Sequence, residues 1–175
     1  MPKKRTYTIS RVWAMPNSRT FEIPPIKELI DRHIKAAKVI IDPFANESKI
    51  GTITNDLNPH FDTDYHLDAL TFLQKQKSAQ ADVVLFDPPY NVAQASECYK
   101  AYGVDKLDIN VSNALYWGRV RTEISRVLKR GGVCISFGWS TVGVGKKNGM
   151  RVIEILDVCH GGSHYDTLVT VEIKE

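Results

Sequence analysis

Apolar residues in this chain come as short runs closed by polar, acidic or proline-bearing turns. Val39 to Ile41 is β-branched throughout and stops at Asp42-Pro43, which predicts a buried strand ending in a turn. Ile50 to Thr54 predicts a second strand closed by Asn55-Asp56, and Asp82 to Phe86 a third closed by Asp87-Pro88-Pro89. Val133 to Phe137 predicts a fourth. It follows a helix whose Val120, Ile124, Val127 and Leu128 share one face, with Gly131 suited to the helix C-terminus. Arg151 to Val158 and Thr167 to Ile173 alternate, and Gly161-Gly162-Ser163 between them predicts a terminal hairpin.

Runs without alternation are usually covered on both faces, so the first four strands predict a mostly parallel sheet flanked by helices. The expected fold class is α/β: a doubly wound, Rossmann-like, mostly parallel sheet with a C-terminal antiparallel hairpin. Ligands of such sheets bind outside the carboxyl ends of the strands, so three acidic or proline-rich turns are expected to face one crevice. At 175 residues the chain suits a single domain spanning 1–175, with 1–19 as a basic, partly ordered N-terminal segment.

Composition refines this only slightly. Hydrophobic content of 43% with 25% charged residues is that of an ordinary globular domain and argues against disorder. No run of about 18 apolar residues and no signal-peptide pattern is visible, so no membrane contact is expected and the cytoplasm is the expected compartment. Cys98, Cys134 and Cys159 are odd in number and widely spaced, and are expected to be reduced and mostly buried. The net charge of +3 is mild, so any nucleic-acid signal lies in local clusters. These are Lys3, Lys4 and Arg5, then Arg119, Arg121, Arg126, Lys129 and Arg130 along one predicted helix, and Lys146 and Lys147 in a glycine-rich stretch. For any one cluster, solvated surface is the commoner outcome.

The candidate chemistry is concentrated in Asp87-Pro88-Pro89-Tyr90, directly after a predicted strand. A stiff turn alone would explain two prolines, but such a four-residue string arises by chance about once in a thousand chains of this size. An aromatic exocyclic amine is a weak nucleophile because its lone pair is conjugated into the ring. The Asp87 carboxylate and the Pro88 carbonyl are acceptors able to draw its N–H groups toward a tetrahedral arrangement. Tyr90 would stack on the target ring, offsetting part of the cost of extruding a base from a duplex.

Asp87-Pro88-Pro89-Tyr90-Asn91 resembles the catalytic motif of amino-methyltransferases, especially the DNA adenine-N6 enzymes. Ile41-Asp42-Pro43-Phe44-Ala45 resembles the family's first cofactor motif, and Thr20-Phe21-Glu22-Ile23-Pro24-Pro25 the segment that precedes it and helps enclose the cofactor's methionine part. The resemblance covers roughly Thr20 to Trp139. It implies S-adenosylmethionine as cofactor, bound by Phe21, Ile23, Asp42, Pro43, Phe44 and Ala45, with Asp56 on the ribose hydroxyls and Asp68 and Ala69 at the adenine edge. It also implies methyl transfer to adenine N6 by Asp87, Pro88, Pro89 and Tyr90, with DNA as partner, single-stranded or with a flipped base. Asn91, Trp139, Lys146 and Lys147 are the expected nucleic-acid contacts, the lysines on a flexible substrate-facing loop. Cytosine N4, an RNA base or a protein glutamine are alternative acceptors. A non-catalytic nucleic-acid-binding partner of an active enzyme is the alternative from another class.

The sequence departs from the family in two places. Asn46-Glu47-Ser48 stands where glycines usually follow the first cofactor motif, and so few residues separate Phe44 from Asp56 that the usual intervening helix is expected to be lost. The chain also has no room for a separate target-recognition domain, so specificity is expected to be low or supplied by a second copy or partner subunit. Cys159, His160 and His164 lack a fourth ligand at suitable spacing and are read as hairpin residues, with no metal expected. No cysteine follows a proline, which argues against a C5-cytosine enzyme. Trp13 and Trp117 are read as core or interface aromatics.

Overall fold

The computed structural model describes residues 7–89, 114–162 and 164–175. Tyr90, Asn91, Cys98 and the Lys3, Lys4 and Arg5 cluster lie outside the described residues.

Strand β1 is Thr8–Trp13, helix α1 Pro24–Ile34, β2 Ile40–Asp42, β3 Ile53–Thr54 and α2 Ala69–Lys75. They are followed by β4 Ala81–Phe86, α3 Ala114–Val127, β5 Leu128–Gly138, β6 Met150–Cys159 and β7 Thr167–Lys174. One seven-stranded sheet runs in the order β3-β2-β4-β5-β7-β6-β1. Every neighbouring pair is parallel except those made by β7, which is antiparallel to both β5 and β6. The expected parallel sheet and terminal hairpin are both present.

The doubled coverage follows from the β-branched runs. Ile40, Val83, Leu85, Ile135 and Phe137 point to one face and pack against Ile26, Leu29 and Ile30 of α1. Ile41, Val84, Phe86 and Cys134 point to the other, against Phe72 and Leu73 of α2 and Val120, Ile124 and Val127 of α3. Neighbours in sequence thus serve opposite cores, as the pleat requires. Pro24 and Pro25 open α1, where a missing N–H costs nothing. Asp68 caps α2 by accepting from the Thr71 N–H at 3.1 Å.

Two expectations need correction, and the N-terminal segment gains a strand. Gly131 does not end the helix: α3 stops at Val127, the chain passes directly into β5, and Gly131 at φ +80° forms an irregularity where the register with β4 shifts. Within the segment read as partly ordered, residues 8–13 form strand β1 on the outer edge of β6. Of the basic residues read along one helix, Lys129 and Arg130 fall in β5 instead, and several of the run secure the fold. Arg121 donates to the Gly143 carbonyl, Arg126 to Glu123, Ser78 and the Leu73 carbonyl, and Lys129 to Asp82.

Candidate active site

Three adjacent parallel strands, β3, β2 and β4, end side by side, and the turns that follow them wall one cavity of about 610 Å³. Pro43, Phe44 and Ala45 come from the turn after β2, Asn55, Asp56 and Leu57 from β3, and Asp87, Pro88 and Pro89 from β4. Leu67, Asp68 and Ala69, entering α2, close one side, while residues 18–22, the strap before α1, close another.

Asn55 ties these walls together. It is 1% exposed, donates from Nδ2 to the carbonyls of Pro43 and Leu67 at 3.0 and 2.9 Å, and accepts from the Leu67 N–H at 3.0 Å. Opposite, the Asp56 carboxylate accepts from the Asn46 N–H at 2.9 Å and the Asn58 N–H at 2.9 Å. Each oxygen keeps a further lone pair for a ligand. Burial pushes Asp56 above the ordinary carboxylate range, opposed by those two N–H groups and by His66.

Asn46 resolves the departure from the glycine-bearing motif. Its φ is +50°, in the left-handed region that asparagine tolerates better than other residues with a Cβ. Asparagine thus makes the left-handed turn after β2, pinned by Asp56. Among the described residues no helix lies between β2 and β3, as expected from the short spacing.

Of the residues expected to bind a cofactor, Phe21, Pro43, Phe44, Ala45, Asp56, Asp68 and Ala69 line the cavity. Phe21 is braced by Phe137, ring centroids 4.9 Å apart, and Phe44 by Phe86 at 6.0 Å and Trp117 at 6.3 Å. Two do not line it. Ile23, 2% exposed, belongs to the core beneath the strap because its side chain follows the apolar face of α1. Asp42 is wholly buried behind the wall, Oδ1 accepting from the Phe44 N–H at 3.2 Å and Oδ2 without a hydrogen-bond partner. Burial pushes its carboxyl up to about 8, against the Phe44 N–H, with the negative neighbours Asp87 and Asp56 adding to the rise.

Asp87, Pro88 and Pro89 line the same cavity. A second hollow of about 320 Å³ shares Ser18 and Thr20 of the strap with the first. It is lined by Trp139 at the end of β5 and Tyr165 from the β6–β7 turn, whose rings lie 4.6 Å apart. Lys146 and Lys147 are elsewhere. They form a short 3-10 turn immediately before β6, at the amino edge of the parallel strands and so across the sheet from the cavity. The loop leading to them is held down rather than facing substrate: Glu172 of β7, 1% exposed, accepts from the Val144 and Gly145 N–H groups at 2.6 and 2.9 Å.

Sequence reasoning missed Asn55 and the rim pair Arg19–Glu47, 2.6 Å apart, which bridges the strap to the turn after β2. An asparagine at a strand end was the only local signal for the former. At the far edge of the sheet, Asp157, Cys159 and Asp166 cluster, but the Arg11 guanidinium is seated among them at 3.2, 2.7 and 3.4 Å.

No protein-family model matches the chain, and no curated protein matches it in sequence. Solved structures match in fold. The N-methyltransferase NodS from Bradyrhizobium japonicum WM9 superposes with a TM-score of 0.58 at 9% identity, covering 91% of this chain and 100% of that one. A 1,6-didemethyltoxoflavin-N1-methyltransferase from Burkholderia thailandensis, holding 1,6-didemethyltoxoflavin and S-adenosylhomocysteine, gives 0.58 at 10% identity over 90% of this chain and 79% of that one. TrmN from Thermus thermophilus gives 0.55 at 15% identity over 90% of this chain, which spans only 50% of TrmN. The chain has the class I methyltransferase fold, with its antiparallel strand near one end of the sheet.

Proposed function

We propose that this chain transfers a methyl group from S-adenosylmethionine to the exocyclic N6 amine of adenine in DNA. The observation that carries the reading is that the Asp87-Pro88-Pro89 turn lines the same cavity as the turns bearing Asp56 and Pro43 to Ala45. A carboxylate and two prolines that would position the acceptor thus line one recess with the turns of the neighbouring strands. The fold shared with methyltransferases, one of them holding S-adenosylhomocysteine, supports the choice of donor.

The donor would supply an electrophilic sulfonium methyl. Asp56 would accept its ribose hydroxyls, Asp68 and Ala69 would meet its adenine edge, and Phe21, Phe44 and Ala45 would enclose the methionine part and exclude water. The Asp87 carboxylate and Pro88 carbonyl would accept the two N–H groups of the target amine, directing its nitrogen lone pair at the methyl carbon. A target ring approaching through the second hollow meets Trp139 and Tyr165, and aromatic stacking there offsets part of the extrusion cost. Lys146 and Lys147 take no part. Sequence specificity would come from a second copy or a partner subunit.

The test is incubation with isotopically labelled S-adenosylmethionine and DNA or RNA, followed by nucleoside mass analysis. Labelled N6-methyl-2′-deoxyadenosine from DNA is expected. Label on cytosine N4, on RNA alone or on protein would replace the acceptor. Asp87→Ala is expected to lose at least about 100-fold in turnover while retaining the fold and donor affinity, and unchanged turnover would remove the mechanism.

A further inference from the structure

Among the described residues, Asp42 is a fully buried carboxyl with an unsatisfied oxygen. It is fully buried at the end of β2, directly behind the wall formed by Pro43, Phe44 and Ala45. Among the described residues its Oδ2 has no hydrogen-bond partner and it forms no ion pair. Gly51 packs closely on the other side, where an added Cβ would fall 2.9 Å from the Asp42 Cβ, and Oδ1 is held by the Phe44 N–H at 3.2 Å. Among the described residues, the charged groups within electrostatic reach are themselves carboxylates, Asp56 after β3 and Asp87 after β4, both lining the cavity. The cavity's own cations are engaged elsewhere: Arg19 with Glu47 and Glu22, Lys27 with Asp31, Lys49 with Asp62. A carboxyl in such surroundings stays protonated until a positive charge arrives. Among the described residues, the space next to it that can admit such a charge is the cavity.

We propose that Asp42 senses the charge of the methyl donor, giving up its proton when a sulfonium-bearing ligand enters the cavity and regaining it when the neutral thioether product takes its place. The inference rests on the donor assigned above. Donor and product differ there by one methyl group and one positive charge, so Asp42 favours loading over product retention without touching either ligand. The proton passes to solvent on loading and returns after transfer. Burial and the two carboxylates put the free-site carboxyl near 8, so it is largely protonated at neutral pH and has a proton to give.

The test is isothermal titration of the full chain with S-adenosylmethionine and with S-adenosylhomocysteine, at pH 7 in phosphate and in Tris, whose ionisation enthalpies differ. Release of close to one proton with the donor and close to none with the product is expected. The donor-to-product affinity ratio is expected to rise about 25-fold between pH 6.5 and 8.5, following the ionised fraction of a free-site carboxyl near 8. Asp42→Asn, nearly isosteric and neutral, is expected to bind the product normally, release no proton and show a flat ratio. Equal proton release with both ligands overturns the proposal using the unaltered protein alone. Proton release that persists in Asp42→Asn overturns it in favour of Asp56 or Asp87. Binding of neither ligand overturns the donor assignment and this inference with it.

Discussion

Asn46 and Asp42 show how far single residues depart from what their motif leads one to expect. Asparagine can take the left-handed turn because its short polar side chain tolerates φ near +50°, whereas a β-branched side chain there would be strained by about 1–3 kcal/mol. Asn46→Gly should therefore leave donor affinity within about threefold, while Asn46→Val should weaken it roughly tenfold, as read by titration. Asp42 has a stability consequence separate from its ligand. Its folded pKa lies well above the unfolded carboxylate value, so the native state binds the extra proton. The stabilisation is complete below the unfolded value, near pH 4, and is lost as pH rises through about 8. At pH 8.5 Asp42→Asn should melt at least about 3 °C higher than the parent, with a smaller difference at pH 6. Equal melting temperatures at both values would show that Asp42 is not protonated in the free site.

At the scale of elements, the strand-end turns and the loop after β5 behave differently from what glycine content suggests. A glycine-rich stretch reads as mobile, yet Gly143 to Gly145 is fixed on the buried Glu172 carboxylate. Gly143 has φ +54°, and a Cβ added there would fall 2.3 Å from Glu172 Oε2. Gly143→Ala should therefore lower stability by about 2 kcal/mol, measured by denaturant unfolding, without changing donor affinity. Glu172 is 28 residues away from Val144 in sequence, and nothing in the local pattern of the loop announces it. By contrast, the strands were legible because runs such as Val83 to Phe86 carry their burial in their own side chains.

For the whole molecule, the contrast between edge and centre governs tolerance to change. All six residues of β1 are exposed, Trp13 at 65%, so the strand contributes pairing with β6 but little burial. A chain beginning at Ala14 should still unfold cooperatively and retain its aromatic circular dichroism, with a melting temperature only a few degrees lower. Val169 of β7 is wholly buried between β5 and β6, and Val169→Asp should cost more than about 3 kcal/mol and abolish that signal. Comparable losses in the two proteins would show that the edge strand is integral to the core. Among the described residues no helix is long and apolar enough to cross a membrane.

The short β-branched runs, the proline-bearing turns and the order of the motifs are local facts, and the chain alone determined them: strands at four sites, a hairpin at the end, and acidic turns at strand ends. Periodicity and turn chemistry act over a few residues and can be read over a few residues. Which strands became neighbours, that residues 8–13 would pair with β6, that Arg11 would settle beside Cys159 at a separation of 148 residues, and that Asn55 would join the Pro43 and Leu67 walls were decided only by tertiary structure. Those contacts depend on closing long loops and on what else is buried nearby. That information is spread over the whole chain, so no window of it contains the answer.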